Sequence, residues 1–289
     1  MAVVGFTGYH AFKKLGFDYR LPGYNFAQWA NQQMLETYPR YGSPKNFIDG
    51  CDFIDRMPKL GNLVSQFLPE ILPICYAVDP KATHRVALWG DSFAQMLTYG
   101  LVKNLPSTWQ LLQLSSRGCQ ASIFALEPST KDYCQQSNFF ALKIIAHLKP
   151  DVVVISQNSS LNQQNVNLIS QKLHNLGVKR VVYVDKPPKW KGDLPRLIFR
   201  KKIDLHAFRN TSQLESGVID QVIREDYLEL SNQDRYINTR SYMCNEDGCL
   251  IKVGPSLEKT ITALDNEHLT PAASDFFVKA ALIDAITSK

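Results

Sequence analysis

From Arg85 onward the chain alternates short, densely apolar runs with longer stretches whose apolar positions recur every three or four residues. RVALW (85–89) is the first run and ends in Gly-Asp-Ser, and the spacing in FAQMLTYGLVKNL (93–105) predicts a helix directly after it. WQLLQLS (109–115) reads as a second strand. NFFALKIIAHLK (138–149) reads as an amphipathic helix stopped by Pro150. DVVVIS (151–156) is an unbroken β-branched run, as expected of a parallel strand buried on both faces. LNQQNVNLISQKLHNLG (161–177) predicts a helix with Gly177 past its end, KRVVYVD (179–185) a fourth strand, and ESGVIDQVIREDYLEL (215–230) a further helix. Strands alternating with helices predict an α/β fold: a three-layer α/β/α sandwich around a mostly parallel central sheet.

Upstream the pattern differs. Residues 1 to about 50 are rich in aromatics, Gly and Pro, with one short helical stretch near Phe26 to Tyr38. They read as an extension packed on a core formed by residues 51–289. The 289 residues, 45% apolar and 20% charged, exclude collagen-like, coiled-coil and wholly disordered classes and are long enough to bury a core without disulfides. No apolar run approaches the roughly 18–20 residues that cross a bilayer. A net charge of +5 without a nucleic-acid-binding motif gives no reason to expect a nucleic-acid partner.

Six cysteines fall into three sequence-local pairs: Cys51 with Cys75, Cys119 with Cys134, and Cys244 with Cys249. Zinc favours paired knuckles or nearby histidines, and neither is present, so no metal site is expected. Three disulfides, which imply an oxidising compartment, are the expectation. Fifteen connectivities are open, of which the local one is taken; six reduced core cysteines are the alternative. The first twenty residues carry neither a long apolar stretch nor a cleavage site for export. The chain is therefore expected to belong to a longer, membrane-attached protein.

Two places can carry chemistry. Ser92 sits where a buried strand ends and a helix begins, the edge at which open α/β sheets bind ligands. A hydroxyl there is exposed, and the N–H groups of the helix start face a developing oxyanion; a plain helix cap is the other reading of Asp91 and Ser92. The second place is Asp265 with His268 in LDNEHLTPAASDFF (264–277). A serine nucleophile needs a base, and the base needs a carboxylate on its other nitrogen. Three residues of separation in a turn allow Asp265 to reach Nδ1 and leave Nε2 for the serine. Thr270 as N-cap and Pro271 at the first helical position would fix this turn ahead of a C-terminal helix running to about Thr287. No other histidine has Asp three residues before it.

GDS after the first strand and D-x-x-H before the last helix resemble the first and last sequence blocks of the SGNH hydrolases. LWGDSFAQML (88–97) further resembles the LxGDSHAxxL block of periplasmic SGNH domains fused to acyltransferase family 3 membrane proteins. The paired cysteines before GDS, SSRGC ending at Cys119, and the C-x₄-C of Cys244 and Cys249 match the same subfamily, over about residues 50–289. The resemblance implies Ser92 as nucleophile, His268 as base and Asp265 as its orienter. It implies oxyanion donors from the Ser92 N–H, the Gly118 N–H and a side-chain amide. The family's GxND block appears here as ISQNSS (155–160), which keeps Asn158 but puts Ser156 and Ser159 where the block has Gly and Asp. Phe93 stands where the fused subfamily has His.

The resemblance further implies a bacterial O-acetyltransferase working at the periplasmic face, tethered to the inner membrane. Its acceptor would be a surface glycan such as lipopolysaccharide O-antigen, and its partner an acyltransferase membrane domain N-terminal in the same polypeptide. No cofactor is implied in this domain, since acetyl-CoA would be used by the membrane portion. A secreted carbohydrate esterase with the same triad and a non-catalytic glycan-binding module are the alternatives. Finally, Lys186, Lys189, Lys191, Arg196, Arg200, Lys201, Lys202 and Arg209 surround Trp190 after the fourth strand. They read as a solvated loop, with an anion-binding loop as the other possibility.

Overall fold

The computed structural model describes residues 45–48, 50–59, 62–124, 132–200, 203–204, 206–218 and 228–288. The helix expected near Phe26 to Tyr38, the middle of the helix expected at 215–230, and Lys201 and Lys202 lie outside the described residues.

Ten strands follow one another among the described residues. A hairpin of β1 (Ile54–Lys59) and β2 (Asn62–Phe67) precedes the sheet strands β3 (His84–Gly90), β4 (Trp109–Gln113), β5 (Val152–Ser156) and β6 (Arg180–Val184). Then come β7 (Arg209–Asn210), β8 (Arg235–Ile237), β9 (Cys244–Asn245) and β10 (Gly248–Leu250). Five of them form an all-parallel sheet in the order β4-β3-β5-β6-β8. The strand order reverses between β3 and β5, the switch point at which such sheets open a crevice. β8 has three residues, too few to show a period in sequence. It is held by the buried carboxylate of Asp234, which accepts from the Val181 N–H and pairs with His174 at 3.0 Å.

Side-chain alternation divides the core into two layers. Val86, Leu88, Val152, Val154, Val182 and Val184 enter one; Ala87, Trp89, Val153, Ile155, Val181 and Tyr183 enter the other. The first layer is covered by α1 (Ser92–Gln95), α2 (Thr98–Asn104) and the C-terminal helices. The second is covered by α3 (Tyr133–Leu148) and α4 (Gln163–Asn175). The helix expected at 93–105 is thus two pieces, α1 and α2, separated at Met96 and Leu97. α3 starts five residues earlier than its apolar spacing suggested, because Asp132 caps it by accepting from the Cys134 and Gln135 N–H groups.

Among the described residues the remaining α-helices are α5 (Leu194–Phe199), α6 (Thr239–Met243), α7 (Leu257–Thr260), α8 (Pro271–Phe277) and α9 (Ile283–Thr287), with a π-helical turn at Val278–Leu282 joining the last two. α8 starts as the sequence suggests, with the Thr270 hydroxyl accepting from the Ala273 N–H and Pro271 in the first turn. It lies directly on α2: the Ser274 hydroxyl accepts from the Gly100 N–H at 3.1 Å, and a Cβ on Gly100 would meet the Ser274 carbonyl oxygen at 2.4 Å. Any side chain at position 100 would push the two helices apart.

The cysteines form three bridges, Cys51–Cys75, Cys119–Cys134 and Cys244–Cys249, the local connectivity expected. The first closes the segment that carries β1 and β2, and both its sulfurs are buried under the Trp89 layer. Non-reducing peptide mapping should recover these three pairs and no free thiol. Replacing Cys51 and Cys75 together by Ser should lower unfolding stability by about 2–5 kcal/mol in denaturant titrations.

Candidate active site

β3 ends against its neighbour with no room for a side chain. Gly90 has φ +137°, and a Cβ there would lie 2.1 Å from the Ser156 carbonyl oxygen of β5. Only glycine fits both the conformation and the space. The next residue, Asp91, is buried and caps α1: its Oδ1 accepts from the Phe93 N–H at 2.9 Å. Its Oδ2 accepts from the Asn158 N–H at 2.8 Å, so one carboxylate ties the start of α1 to the loop after β5. Burial pushes the Asp91 carboxyl above its ordinary value, against the two backbone N–H groups and the nearby His268, which pull it down.

Ser92 is the first residue of α1, at the carboxyl end of β3. Its Oγ lies 2.9 Å from His268 Nε2, across 176 residues of sequence. The other ring nitrogen, Nδ1, lies 2.7 Å from Asp265 Oδ2. An ionised carboxylate only accepts, so Nδ1 carries a proton; in the neutral ring Nε2 is then the acceptor, and the Ser92 hydroxyl donates to it. The second carboxylate oxygen, Asp265 Oδ1, accepts from the Glu267 and His268 N–H groups at 2.9 and 2.7 Å. One acid therefore folds the turn and orients the ring.

The turn is also held from outside. The Trp190 N–H donates to the Asn266 carbonyl at 2.8 Å and the Leu194 N–H to the Asp265 carbonyl at 3.0 Å. The Trp190 side chain is buried in the first core layer. The described part of the basic segment is thus largely a brace beneath the Asp265–His268 turn. Two of its cations serve the fold: Arg209 donates to the Met243 and Gly248 carbonyls, and Lys191 to the Ser212 carbonyl.

The remaining expected residues lie at the same sheet edge. The Ser116 N–H donates to the Gly90 carbonyl, which hangs the loop after β4 beside Ser92. Gly118 is exposed in that loop with φ +70°. Asn158 is exposed on the loop after β5 and is anchored through its backbone by Asp91, leaving its side-chain amide on the surface. The structure brings Ser92, His268 and Asp265 into direct contact, and places Gly118 and Asn158 on the two flanking loops.

Other residues build this edge without a sequence signal. Asp52, buried next to Cys51, accepts from Gln95 Nε2 at 2.9 Å and pairs with Arg117 Nε at 3.0 Å. Gln95 also donates to the Ser115 carbonyl. α1, the Gly118 loop and the Cys51–Cys75 segment therefore meet on one carboxylate, joining residues 43 and 65 positions apart. Phe93, buried, sets its ring centroid 4.9 Å from that of His268 and limits the ring's movement from one side. Among the described residues no group of three or more His, Cys, Asp or Glu is arranged to hold a metal ion.

The electrostatics suit a proton acceptor. Burial alone would lower the His268 basicity, but the hydrogen bond and charge of Asp265, with the charges of Glu267 and Asp91, raise it above the ordinary 6.5. Burial would raise Asp265; its bond to His268, the imidazole charge and the two backbone N–H groups outweigh this and hold it below 3.8. A ring that must be neutral to accept a proton then gains that state only as pH rises through the raised value. An NMR titration of the His268 ring should give a midpoint above 6.5. In Asp265→Asn the midpoint should fall, because the raising partner is gone and burial acts unopposed.

No curated protein matches the chain. A solved structure of similar fold is the periplasmic domain of a lipopolysaccharide acetyltransferase from Salmonella ser. Paratyphi A. It shares 21% identity with a TM-score of 0.57, over 71% of this chain and 88% of that one. The family model described as "SGNH domain (fused to AT3 domains)" matches residues 63–282, a span that holds Ser92, Gly118, Asn158, Asp265 and His268. On that match the chain belongs to the family of SGNH domains that are fused to AT3 domains.

Proposed function

We propose that this domain is the extracytoplasmic part of an O-acetyltransferase. It takes an acetyl group as an ester on Ser92 and passes it to a hydroxyl of a bacterial surface glycan such as lipopolysaccharide O-antigen. The observation that carries the proposal is the 2.9 Å contact of Ser92 Oγ with His268 Nε2 in a chain of this family. The name of the structural neighbour, a lipopolysaccharide acetyltransferase domain, supports the choice of acceptor. Three disulfides favour the periplasmic face, and no helix among the described residues is long and apolar enough to cross a membrane. The AT3 portion, tethered to the inner membrane and N-terminal in the same polypeptide, would draw the acetyl group from acetyl-CoA and deliver it.

In this reading the Ser92 proton moves to His268 Nε2 as Oγ attacks the acyl carbon, while Asp265 stabilises the imidazolium through Nδ1–H. The carbonyl oxygen gains negative charge, which the Ser92 and Gly118 N–H groups and the Asn158 amide would meet as donors. The imidazolium protonates the leaving group. A sugar hydroxyl then gives its proton to the regenerated Nε2 and attacks the ester, and Nε2 returns that proton to the departing Ser92 oxygen. Water in place of the sugar gives hydrolysis by the same steps.

The domain alone should therefore hydrolyse small acetyl esters such as p-nitrophenyl acetate slowly, while efficient glycan acetylation should require the membrane portion. Efficient transfer from a soluble donor by the domain alone would contradict this division. Ser92→Ala and His268→Ala should abolish turnover, and Asp265→Asn should reduce it by about 10⁴, the loss known for a comparable triad. The Ser92→Ala/His268→Ala double variant should be scarcely slower than the worse single one, because the residues act as a unit. Full activity in Ser92→Ala would refute the proposal.

A further inference from the structure

A second concavity adjoins the site on the side of the Gly118 loop. It is a cleft of about 560 Å³, within the range of ligand sites, whose lining includes Phe67, Tyr133, Phe140, Glu70, Gln136 and Lys143. Phe67 ends β2, paired with Ile54 at the open end of the β1–β2 hairpin, and is 58% exposed. One of its faces is covered by the Tyr133 ring, stacked at 4.8 Å and 14°. A large aromatic residue stacked on a neighbour yet exposed is a platform, and Glu70 and Lys143 beside it are exposed as well.

The wall of the cleft is bonded to the Gly118 loop. The Tyr133 hydroxyl donates to the Arg117 carbonyl at 3.2 Å, the residue before Gly118. The adjacent Cys134 is bonded to Cys119, the residue after it. Beneath the rings, the Phe53 N–H donates to the Ser116 hydroxyl, and the preceding residue is Asp52, which holds Gln95 of α1. Cleft and Gly118 loop thus share one scaffold.

We infer that this cleft is a subsite for the glycan acceptor, binding sugar units of the polymer away from the one that is acylated. The inference rests on the reading of Ser92 as the acyl carrier to a glycan. Its chemistry is that of a pyranose ring. The C–H groups of one sugar face carry partial positive charge and meet the negative face of Phe67. The hydroxyls around the rim of the sugar exchange hydrogen bonds with the exposed Glu70 and Lys143. A lipid chain or a hydrophobic helix would meet the Phe67 ring but offer no polar complement to the exposed Glu70 and Lys143.

The test is calorimetric titration of the full 289-residue chain with lipid-free O-polysaccharide, released by mild acid from the lipopolysaccharide of the bacterium that makes it. Wild type should bind. Phe67→Ala should bind roughly tenfold more weakly, the size of one aromatic contact; Phe67→Trp should restore affinity and Lys143→Ala should reduce it. Because Phe67 is exposed, its truncation opens no core cavity, and Ser92-dependent hydrolysis of p-nitrophenyl acetate should be unchanged in Phe67→Ala. Unaltered polysaccharide affinity in Phe67→Ala overturns the subsite while leaving the acyl-transfer reading intact. No binding by wild type, or Phe67-dependent binding to phosphatidylethanolamine–phosphatidylglycerol vesicles instead, also overturns it. Loss of Ser92-dependent hydrolysis in wild type itself would strike the acyl-transfer reading, independently of the cleft.

Discussion

The contact of Gly90 with the Ser156 carbonyl fixes everything built at the end of β3. Because the two backbones touch there, the chain leaves the sheet at one point and in one direction. Asp91 can then span from α1 to the loop after β5 with a single carboxylate, and Ser92 opens a helix at the switch point. A methyl group at position 90 would separate β3 from β5 and move the cap, the serine and the Asn158 loop together. The glycine in Gly-Asp-Ser is therefore a steric requirement of the site, and the aspartate is its tie to the neighbouring loop.

The second half of the site has supports of its own. The Asp265–His268 turn is held by its own carboxylate, by the Trp190 and Leu194 N–H groups, and by the docking of α8 on α2 at Gly100. Each support acts on backbone or on buried side chains, so the ring's position does not depend on a ligand. Phe93 and Met96, both from the serine's side, complete the fit: Phe93 packs on the His268 ring, and the Leu269 N–H donates to the Met96 sulfur at 3.3 Å. The two halves share a hydrophobic layer as well as a hydrogen bond.

The parts of this arrangement that were legible in the sequence are those with a local signature. β3, β4, β5 and β6 are apolar runs between turn residues, and Asp265 with His268 is a three-residue spacing ahead of a capped helix. Gly-Asp-Ser marks its own strand end. The cysteine pairs were near enough in sequence for the local pairing to suggest itself. What was not legible depends on distance or brevity. Asp52, Gln95 and Arg117 meet from three separate segments, and none differs in sequence from an ordinary surface residue. β8 is too short to have a period, and the break between α1 and α2 leaves the apolar spacing of 93–105 undisturbed. The role of Trp190 was hidden by the lysines around it: charge suggested a surface loop, whereas its ring is core and its backbone serves the Asp265 turn.

The span of 176 residues between Ser92 and His268 has a consequence for the order of events during biosynthesis. A ribosome adding about 5–20 residues per second needs roughly ten to thirty-five seconds to cover it. For that interval the nascent chain carries its serine without the base. The proton acceptor arrives only when α8 has been made and has docked on α2, so the hydroxyl stays inert while the chain is still incomplete. Reactivity is acquired last, as a by-product of tertiary closure, and a chain truncated before residue 268 would keep the five sheet strands and have no chemistry.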